Sequence, residues 1–210
     1  MISERSNTKQ KIQQTALDLF SVKGYSAVSI RDIGKLVGIK ESTIYYHFKN
    51  KQDIFLALLQ EVKNITSQMQ RAFDSRFETA SDVEEGAFLQ AGLGFLDYYL
   101  LDSHINKFIR MLAIEQHVSD EAAVLYRDIL FDTPLEQNTT VFRHMIERGF
   151  FRQEDAVILA NEYNGMVIFI FQKYFSSGAI TNEKRNTAKT ELSVFLKRFY
   201  ERYKKRPKEM

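Results

Sequence analysis

The stretch from Ile30 to Lys51 reads IRDIGKLVGIKESTIYYHFKNK and decides the fold of this chain. Ile33 and Val37 continue an apolar stripe from its first residue at helical spacing. Gly38 follows, where a left-handed backbone conformation can end a helix without strain at a Cβ atom. A second short helix is predicted over residues 40–48. Two short amphipathic helices on either side of a glycine predict a helix-turn-helix.

The second of these helices has an outward face that is unusual for a solvated helix. Its predicted inward residues, Ile44 and Phe48, are four positions apart, so Tyr46 and His47 point outward or sideways. A helix that meets only water rarely presents a run such as Tyr45-Tyr46-His47. A helix that contacts sugars and base edges has a use for these side chains, and we therefore expect it to enter the DNA major groove.

Composition bounds the fold class and excludes several kinds of site. Hydrophobic residues make up 44% of the 210 residues and charged residues 27%, as in ordinary globular proteins. Two prolines, nine glycines and few alternating runs predict an all-α protein. The absence of cysteine excludes disulfides and thiolate metal sites and fits a reducing cytoplasm. The polar N-terminus does not predict secretion, and the longest apolar stretch, Gly165 to Phe171, is too short to span a bilayer.

Positive charge is concentrated at the two ends of the chain. Residues 1–51 carry a net charge of +5, residues 52–196 carry −8 and residues 197–210 carry +5. A basic segment that contains the helix-turn-helix fits phosphate binding by that segment. For the basic tail two interpretations stay open: a solvated helix end, which cations suit, or a second contact with DNA.

The rest of the chain is predicted to be a succession of helices. The first helix covers residues 7–23 and ends at Gly24. Asn50 caps a fourth helix that follows without a linker, so this helix belongs to both parts of the chain. Pro134 fits the first turn of a helix that Thr133 caps. The predicted later helices cover residues 82–101, 104–117, 120–131, 134–149, 154–177 and 182–204.

Residues 8–59 resemble the N-terminal domain of TetR-family transcriptional regulators. The shared features are LDLF and KGY at the end of the first helix, Ser29-Ile30-Arg31-Asp32-Ile33, Gly38, Thr43-Ile44-Tyr45-Tyr46-His47-Phe48, and Lys51. A helix-turn-helix alone is a weak signal, whereas this combination of motifs in one segment is specific. The chain departs from the family pattern at Lys40, where Ser or Thr often caps the recognition helix, and at Lys49, where Pro is frequent.

The resemblance implies an all-α homodimer with two domains. A three-helix, homeodomain-like helix-turn-helix domain in residues 1–51 would bind a palindromic operator in double-stranded DNA. A larger helical domain in residues 52–210 would bind a small effector and form the dimer, the last two long helices pairing with those of the mate. Members of the family mostly repress transcription, and effector binding usually releases the DNA. We therefore expect a ligand-responsive cytoplasmic repressor.

Carried over to this chain, the resemblance implies DNA contacts from Ser29, Arg31, Lys40, Glu41, Ser42, Thr43, Tyr45, Tyr46, His47 and Lys51. Ser29 and Lys51 are expected at phosphates near helix N-termini, and Tyr45 is expected to donate to a phosphate. The side chains best placed to touch bases are those of Ser42, Thr43, Tyr46 and His47. A lysine at the start of the recognition helix opposes the helix dipole, so Lys40 predicts a phosphate contact or some other cap.

Four of these assignments have simpler structural alternatives. Tyr45 could pack in the core against the first helix, and His47 could be a plain surface residue. Arg31 could pair with Asp32 or another neighbour. Lys51 would be solvated on an ordinary helix, but its position here favours phosphate binding.

The second part of the chain is rich in aromatic and methionine side chains, most of which we expect in the core or the dimer interface. Apolar ligand pockets are lined by the same kinds of side chain with a few polar anchors. The candidates for an effector pocket are Phe95, Tyr99, Phe108, Met111, Phe142, Tyr163 and Met166. Composition alone suggests an apolar or aromatic effector.

Nothing in the sequence predicts an enzyme. His104, His117 and His144 are scattered, Glu115 with His117 is not a metal-ligand spacing on a helix, and no phosphate loop, nucleophile elbow or zincin motif occurs. We therefore expect no catalytic residue, no metal and no cofactor. Two other classes stay open beside the repressor. One is a sequence-tolerant architectural DNA binder, and the other is a helical protein that binds a partner or a small molecule and has a vestigial N-terminal domain.

Overall fold

The structure, a computed structural model, describes residues 2–79 and 84–205. Its α-helices are, in chain order, α1 Ile2–Lys23, α2 Ile30–Val37, α3 Glu41–His47, α4 Lys51–Thr79, α5 Glu85–Gly94, α6 Ser103–Glu115, α7 Asp120–Arg127, α8 Thr133–Glu147, α9 Ala156–Phe175 and α10 Asn182–Tyr203. A π-helical segment, Phe95–Leu100, extends α5, and another, Asp128–Asp132, joins α7 to α8.

The predicted all-α class is confirmed. The described residues contain no β-strand, and among them one antiparallel bridge, between Phe151 and Lys204, pairs extended backbone. Three parts of the predicted features lie outside the described residues. They are residues 82–83 of the fifth helix, residues 80–81 of the break before it, and residues 206–210 of the basic tail. No described helix is both long enough and apolar enough to cross a membrane.

The described residues fold as two compact units. The first unit comprises residues 2–73 and 102–126. The second unit comprises residues 74–79, 84–101 and 127–205. Helix α6 therefore belongs to the same compact unit as the helix-turn-helix. The predicted functional boundary after Lys51 falls inside the first unit, at the start of α4, and stays a prediction.

The core of the first unit is made of apolar side chains at helical spacing. Helix α1 ends at Gly24, whose φ of +84° agrees with the predicted turn. Asn50 caps α4 as predicted, because its side-chain oxygen accepts from Asp53 N at 2.9 Å. The largest fully buried side chains of this core are Ile12, Leu17, Phe20, Ile33, Ile44, Ile54, Leu58 and Phe108.

The core of the second unit is an aromatic cluster. The rings of Phe88 and Phe199 are parallel, with centroids 5.8 Å apart, and those of Phe142 and Tyr163 meet edge to face at 5.6 Å. Phe151 adds a fifth ring, 6.0 Å from Phe142. Helices α5, α8, α9 and α10 are therefore held together by the burial of large aromatic surfaces.

The connection between α7 and α8 differs from the prediction in its cap. Pro134 lies in the first turn of α8, as predicted, but Thr133 has helical backbone angles (φ −61°, ψ −49°) and does not cap the helix. Its hydroxyl donates instead to Asp128 Oδ1 at 2.8 Å. Because Pro134 has no N–H, the preceding turn cannot be completed in the ordinary way, and the chain forms a wider π-helical turn before it.

A buried hydrogen bond compensates for the missing N–H of Pro134. In π-helical pairing the carbonyl of Ile129 would accept from the residue five positions later, which is this proline. The hydroxyl of Tyr99 donates to Ile129 O at 2.7 Å instead. Since Tyr99 itself lies in the other π-helical segment, this bond joins the two irregular segments of the second unit.

The replacement Tyr99→Phe removes only this hydroxyl and is expected to lower the free energy of unfolding by about 1–3 kcal/mol, because the Ile129 carbonyl loses its donor in a buried setting. Urea denaturation followed by circular dichroism measures the change. Tyr98, which is 72% exposed, offers the matched control, and Tyr98→Phe should alter the free energy of unfolding by less than about 0.5 kcal/mol. Equal values for the two variants would contradict the role given to the Tyr99 hydroxyl.

Candidate nucleic-acid interface

Helix α2 begins with the predicted N-cap. The Ser29 hydroxyl accepts from Asp32 N at 3.1 Å, and Asp32 Oδ2 accepts from Ser29 N at 2.9 Å, which together form a capping box. Hydrogen bonds from the Ser29 side chain and backbone lower the pKa of the Asp32 carboxyl below its usual value. Gly38 ends α2 at φ +80°, also as predicted. Local hydrogen bonds therefore fix both ends of the first helix of the motif.

Helix α3 is anchored by two apolar side chains and exposes the rest. Ile44 and Phe48 are buried, as predicted. Tyr45 is 52% exposed and Tyr46 is 58% exposed, so the alternative that Tyr45 belongs to the core is not supported. The other candidates on this helix are exposed or half-buried: Glu41, Ser42, Thr43 and His47. The outward face of α3 thus offers hydroxyl, carboxylate and imidazole groups to a ligand.

The structure brings two of the predicted base-reading side chains into contact. The rings of Tyr46 and His47 meet edge to face with centroids 5.2 Å apart. At the other end of α3, Lys40 makes no side-chain cap; its carbonyl accepts from Thr43 N at 2.9 Å, and its side chain is exposed. Of the two outcomes predicted for Lys40, phosphate contact is the one still open.

Arg31 stands exposed near the start of α2. Within the described part of the chain no salt bridge joins it to Asp32, whose Oδ2 accepts from the N–H and hydroxyl of Ser29, although the charge of Arg31 contributes to the lowered pKa of that carboxyl. The alternative reading of Arg31 as the partner of Asp32 is therefore not supported. Its contact with a phosphate stays a prediction.

Lys51 has a structural task that the sequence did not suggest. Its ammonium donates to Tyr25 O and to Val28 O, both at 2.8 Å, and lies 4.2 Å from the centroid of the Tyr25 ring. Burial lowers the pKa of Lys51, and the nearby charge of Glu115 acts in the opposite direction. Two of its three N–H donors are thus already used inside the protein. Its predicted contact with a phosphate would have to use the third.

Glu115, at the end of α6, is a second residue of this region that the sequence interpretation missed. Its carboxylate is buried and accepts from Ser26 N at 3.0 Å and from the Ser26 hydroxyl at 2.6 Å. A signal for it does exist in the sequence. Phe108, Met111 and Leu112 mark an apolar stripe on α6, and Glu115 occupies the next position of that stripe, where a charge needs a buried partner.

A chain of aromatic rings runs beside these polar contacts. Tyr25 packs edge to face on Phe20 at 5.3 Å and on Phe55 at 5.5 Å between centroids, and Phe55 lies 5.6 Å from Phe108. The Tyr25 hydroxyl donates to the Gln52 side chain at 3.0 Å, and its pKa is raised by burial and by the charge of Glu115. The segment between α1 and α2 is therefore packed against both α4 and α6.

The candidates for an effector pocket do not all lie in one unit. Phe108 and Met111 are fully buried on α6 in the first unit. The others lie in the second unit: Phe95, Tyr99, Phe142, Tyr163 and Met166. Among these, the rings of Phe95 and Tyr99 stack with centroids 5.0 Å apart, and burial raises the pKa of the Tyr163 hydroxyl well above its usual value. Their role in effector binding stays a prediction.

One groove in the second unit lies apart from these candidates. It has a volume of about 330 Å³ and is open to solvent on one side. Its lining is mixed and includes several charged side chains: Arg143, Ile146, Glu147, Gln153, Glu154, Asp155, Ala156 and Val157. None of the seven predicted pocket residues contributes to it.

The all-helical fold and the exposed face of α3 define the class of protein as a helix-turn-helix protein. The family described as "Bacterial regulatory proteins, tetR family" matches residues 12–58, which run from the middle of α1 to the second turn of α4. Residues 12–58 of the chain therefore form a DNA-binding domain of the kind that defines this family. The match covers the helix-turn-helix and the Lys51 contacts but not α6.

Two curated relatives also match only part of the chain. The HTH-type transcriptional regulator AcrR of Shigella flexneri is 32% identical over 74 residues, which are 35% of this chain and 34% of that protein. The biofilm operon icaADBC HTH-type negative transcriptional regulator IcaR of Staphylococcus epidermidis is 47% identical over 47 residues, 22% of this chain and 25% of that protein. The chain thus matches about a quarter to a third of the length of these relatives.

Solved structures extend the likeness of fold to nearly the whole chain. A TetR-family regulator from Mesorhizobium loti superposes with a TM-score of 0.71 at 19% identity, covering 95% of this chain and 98% of that one. The SmeT–triclosan complex gives 0.70 at 16% identity, with 95% and 92% covered. A regulator from Saccharomonospora viridis in complex with choline gives 0.63 at 23% identity, with 96% and 100% covered. At these identities the likeness concerns the fold alone.

The replacement Lys51→Met tests the structural task of Lys51. It should lower the free energy of unfolding by about 1–3 kcal/mol, because two carbonyl groups lose a charged donor. The matched control is Lys49→Met, two residues away and exposed, which should change the free energy of unfolding by less than about 0.5 kcal/mol. Guanidinium denaturation of both variants measures the difference. If Lys51→Met is as stable as Lys49→Met, the contacts to Tyr25 O and Val28 O contribute nothing to the fold.

Proposed function

We propose that this protein is a sequence-specific DNA-binding transcriptional regulator that acts as a dimeric, effector-responsive repressor. The observation that carries the proposal is the outward face of α3, where Tyr45 and Tyr46 are exposed on a helix held from behind by Ile44 and Phe48. The major groove of B-DNA is about 12 Å wide and admits one helix with its side chains. The match of residues 12–58 to the tetR family supports the same interpretation.

The candidate side chains divide by position into two kinds of contact. Those proposed to reach base edges are Ser42, Thr43, Tyr46 and His47, and Glu41 could accept from the amino group of a cytosine. Those proposed to meet the sugar–phosphate backbone are Ser29, Arg31, Lys40, Tyr45 and Lys51. The net charge of +5 on residues 1–51 favours a polyanion in this region.

A second copy of the chain is the proposed partner of α9 and α10. One face of α9 carries Ile158, Gly165 and Phe169. The Phe169 side chain is 55% exposed. A Cβ atom built on Gly165 would have no heavy atom within 4 Å, so this part of the helix surface is open. Val194 adds an exposed apolar side chain on α10. Exposed apolar side chains at helical spacing are typical of an interface between helices. A two-fold dimer would place two α3 helices on a palindromic operator, with half-sites about 34–36 Å apart.

The effector is proposed to bind the second unit. Two proteins of the same fold were solved in complex with choline and with triclosan, which supports a small-molecule effector for this chain. An apolar or aromatic effector would suit the side chains of Phe95, Tyr99, Phe142, Tyr163 and Met166. A tenfold release of DNA requires the effector to prefer the non-binding state by about 1.4 kcal/mol. The proposal includes no catalytic step and places the protein in the cytoplasm with its operator.

The primary test is the selection of duplexes from a random pool by the full chain, followed by footprinting of the enriched sequence. A sequence-specific dimer is expected to enrich one palindromic sequence and to protect one discrete site. An architectural DNA binder would enrich no sequence. A protein that binds only partners or small molecules would retain no duplex even at low salt, and either result would contradict the proposed function.

The replacement Tyr46→Ala is expected to change the ranking of bases at one position of each half-site, because each good base contact discriminates by about 1–3 kcal/mol. Binding to unrelated duplexes should change little, since phosphates supply most of that affinity. Repeating the selection with this variant measures the effect. Tyr98→Ala removes an exposed tyrosine from the second unit and serves as the control, which should select the same sequence as the wild type. An unchanged preference in Tyr46→Ala would remove Tyr46 from the base-reading set.

The replacement Phe169→Glu tests the proposed dimer interface. It places a charge in an apolar contact and should convert the dimer to a monomer and weaken operator binding at least about tenfold, since one buried unpaired charge costs several kcal/mol. Sedimentation velocity gives the oligomeric state. Val118→Glu, at an exposed apolar residue of the first unit, is the matched control and should leave the dimer intact. A dimeric Phe169→Glu variant would place the interface elsewhere.

A further inference from the structure

Helix α6 carries one carboxylate that the proposed contacts with DNA do not use. Glu115 is 6% exposed, and both of its oxygens are hydrogen-bonded to Ser26, one by the backbone N–H and the other by the hydroxyl. No lysine or arginine forms an ion pair with it among the described residues, so these two donors and the positive charge of nearby Lys51 are what stabilise it. A buried carboxylate at this position needs a reason beyond packing, because an apolar residue would fit the stripe of α6 without a desolvation cost.

The backbone of residues 24–28 is shaped around this carboxylate. Gly24 has φ +84°, and a Cβ atom built on it would lie 2.5 Å from Glu115 Oε1 and 2.9 Å from Ile114 Cγ2. A side chain at position 24 would therefore collide with the end of α6. The glycine allows the turn after α1 and also allows α6 to approach the backbone closely.

The same segment is also held by α4. Lys51 donates to Tyr25 O and Val28 O, on either side of Ser26. Ser29, the next residue after Val28, is the N-cap of α2. Residues 24–28 are thus fixed by two helices immediately before the point where the helix-turn-helix begins.

Other contacts fasten α6 along its length to the same unit. Lys107 donates to Asp18 Oδ1 on α1 at 2.5 Å, and Phe108 packs against Phe55 on α4. Among these α6 residues, Glu115 is the one that is hydrogen-bonded to the segment between α1 and α2. A displacement of the end of α6 would therefore carry Ser26 with it.

We propose that Glu115 is a positioning residue for DNA recognition, which sets the place of α2 and α3 through its two hydrogen bonds to Ser26. The inference rests on the proposed DNA binding and adds to it a residue outside residues 12–58, the part that the family shares. It makes the end of α6 a part of the DNA-reading unit of this chain. Glu115 itself does not touch DNA.

The test compares variants of the full chain that differ in these two bonds. Glu115→Leu removes both acceptors with little change in volume, and Ser26→Ala removes only the hydroxyl. Glu115→Gln is the rescue variant, because its amide oxygen can accept from Ser26 N while its NH₂ group donates to the Ser26 hydroxyl. Ile109→Val, a buried apolar change on the same helix, is the matched control for a simple loss of stability.

The first measurement is the affinity for the duplex that the wild-type protein enriches from a random pool, at a temperature where every variant is fully folded. Glu115→Leu should bind about tenfold more weakly, and Ser26→Ala should fall between it and the wild type. Glu115→Gln and Ile109→Val should stay within about twofold of the wild type. A purely structural role would not weaken binding by folded protein, so wild-type affinity in Glu115→Leu would overturn the proposal.

The second measurement is hydrogen exchange of residues 24–47 without DNA. Glu115→Leu should speed exchange in this segment by about tenfold, and Glu115→Gln should restore the wild-type pattern. Unchanged exchange in Glu115→Leu would overturn the proposal. If the wild-type protein enriches no duplex, the proposed function fails by itself, and the exchange measurement still decides whether Glu115 positions the helix-turn-helix.

Discussion

The short length of α3 is the constraint on which the rest of the structure depends. Seven residues form less than two turns, and an isolated helix of this length is unstable in water, where about 12–15 residues are needed even for favourable sequences. The helix exists because Ile44 and Phe48 are buried in the first unit. Because the burial of these two side chains stabilises α3, its outer face does not have to pack against the protein. Tyr45 and Tyr46 can therefore be exposed to solvent.

A helix that is held by only two side chains needs its ends fixed from outside. The capping box of Ser29 and Asp32 fixes the start of α2, and Gly38 sets the turn into α3. The segment between α1 and α2, which precedes these caps in the chain, is held by hydrogen bonds to Lys51 and Glu115. The orientation of α3 therefore depends on a series of hydrogen bonds. Some of them join neighbouring residues of a turn, and others come from distant parts of the chain.

This distinction explains how much of the structure could be predicted from the sequence. The cap at Asn50 and the glycine turns were predicted correctly, because each depends on residues within four positions of itself. The apolar stripe of α6 indicates that Glu115 is buried, but its partner Ser26 lies 89 positions away, and no local pattern identifies that partner. The prediction that Thr133 caps α8 was wrong for a related reason. A threonine followed by a proline occurs at the start of a helix, and the same pair can also lie inside a helix that continues through a widened turn. In this chain the widened turn is accompanied by a tertiary contact, the Tyr99 hydroxyl on the carbonyl of Ile129, which the local sequence does not show.

The aromatic residues show the same limit in another form. Phe108 and Tyr163 were both named as candidates for one effector pocket, and both are buried, but composition could not show that they lie in different compact units. Phe108 packs in the unit that holds α3, on the same helix that carries Glu115. Helix α6 combines an apolar face with one carboxylate on that face, and among the described residues the hydrogen-bond donors to this carboxylate belong to Ser26, in the segment that precedes α2. The apolar surface of α6 could pack against many partners, but the buried charge is satisfied in only one arrangement, so it is the polar residue that gives this packing its specificity.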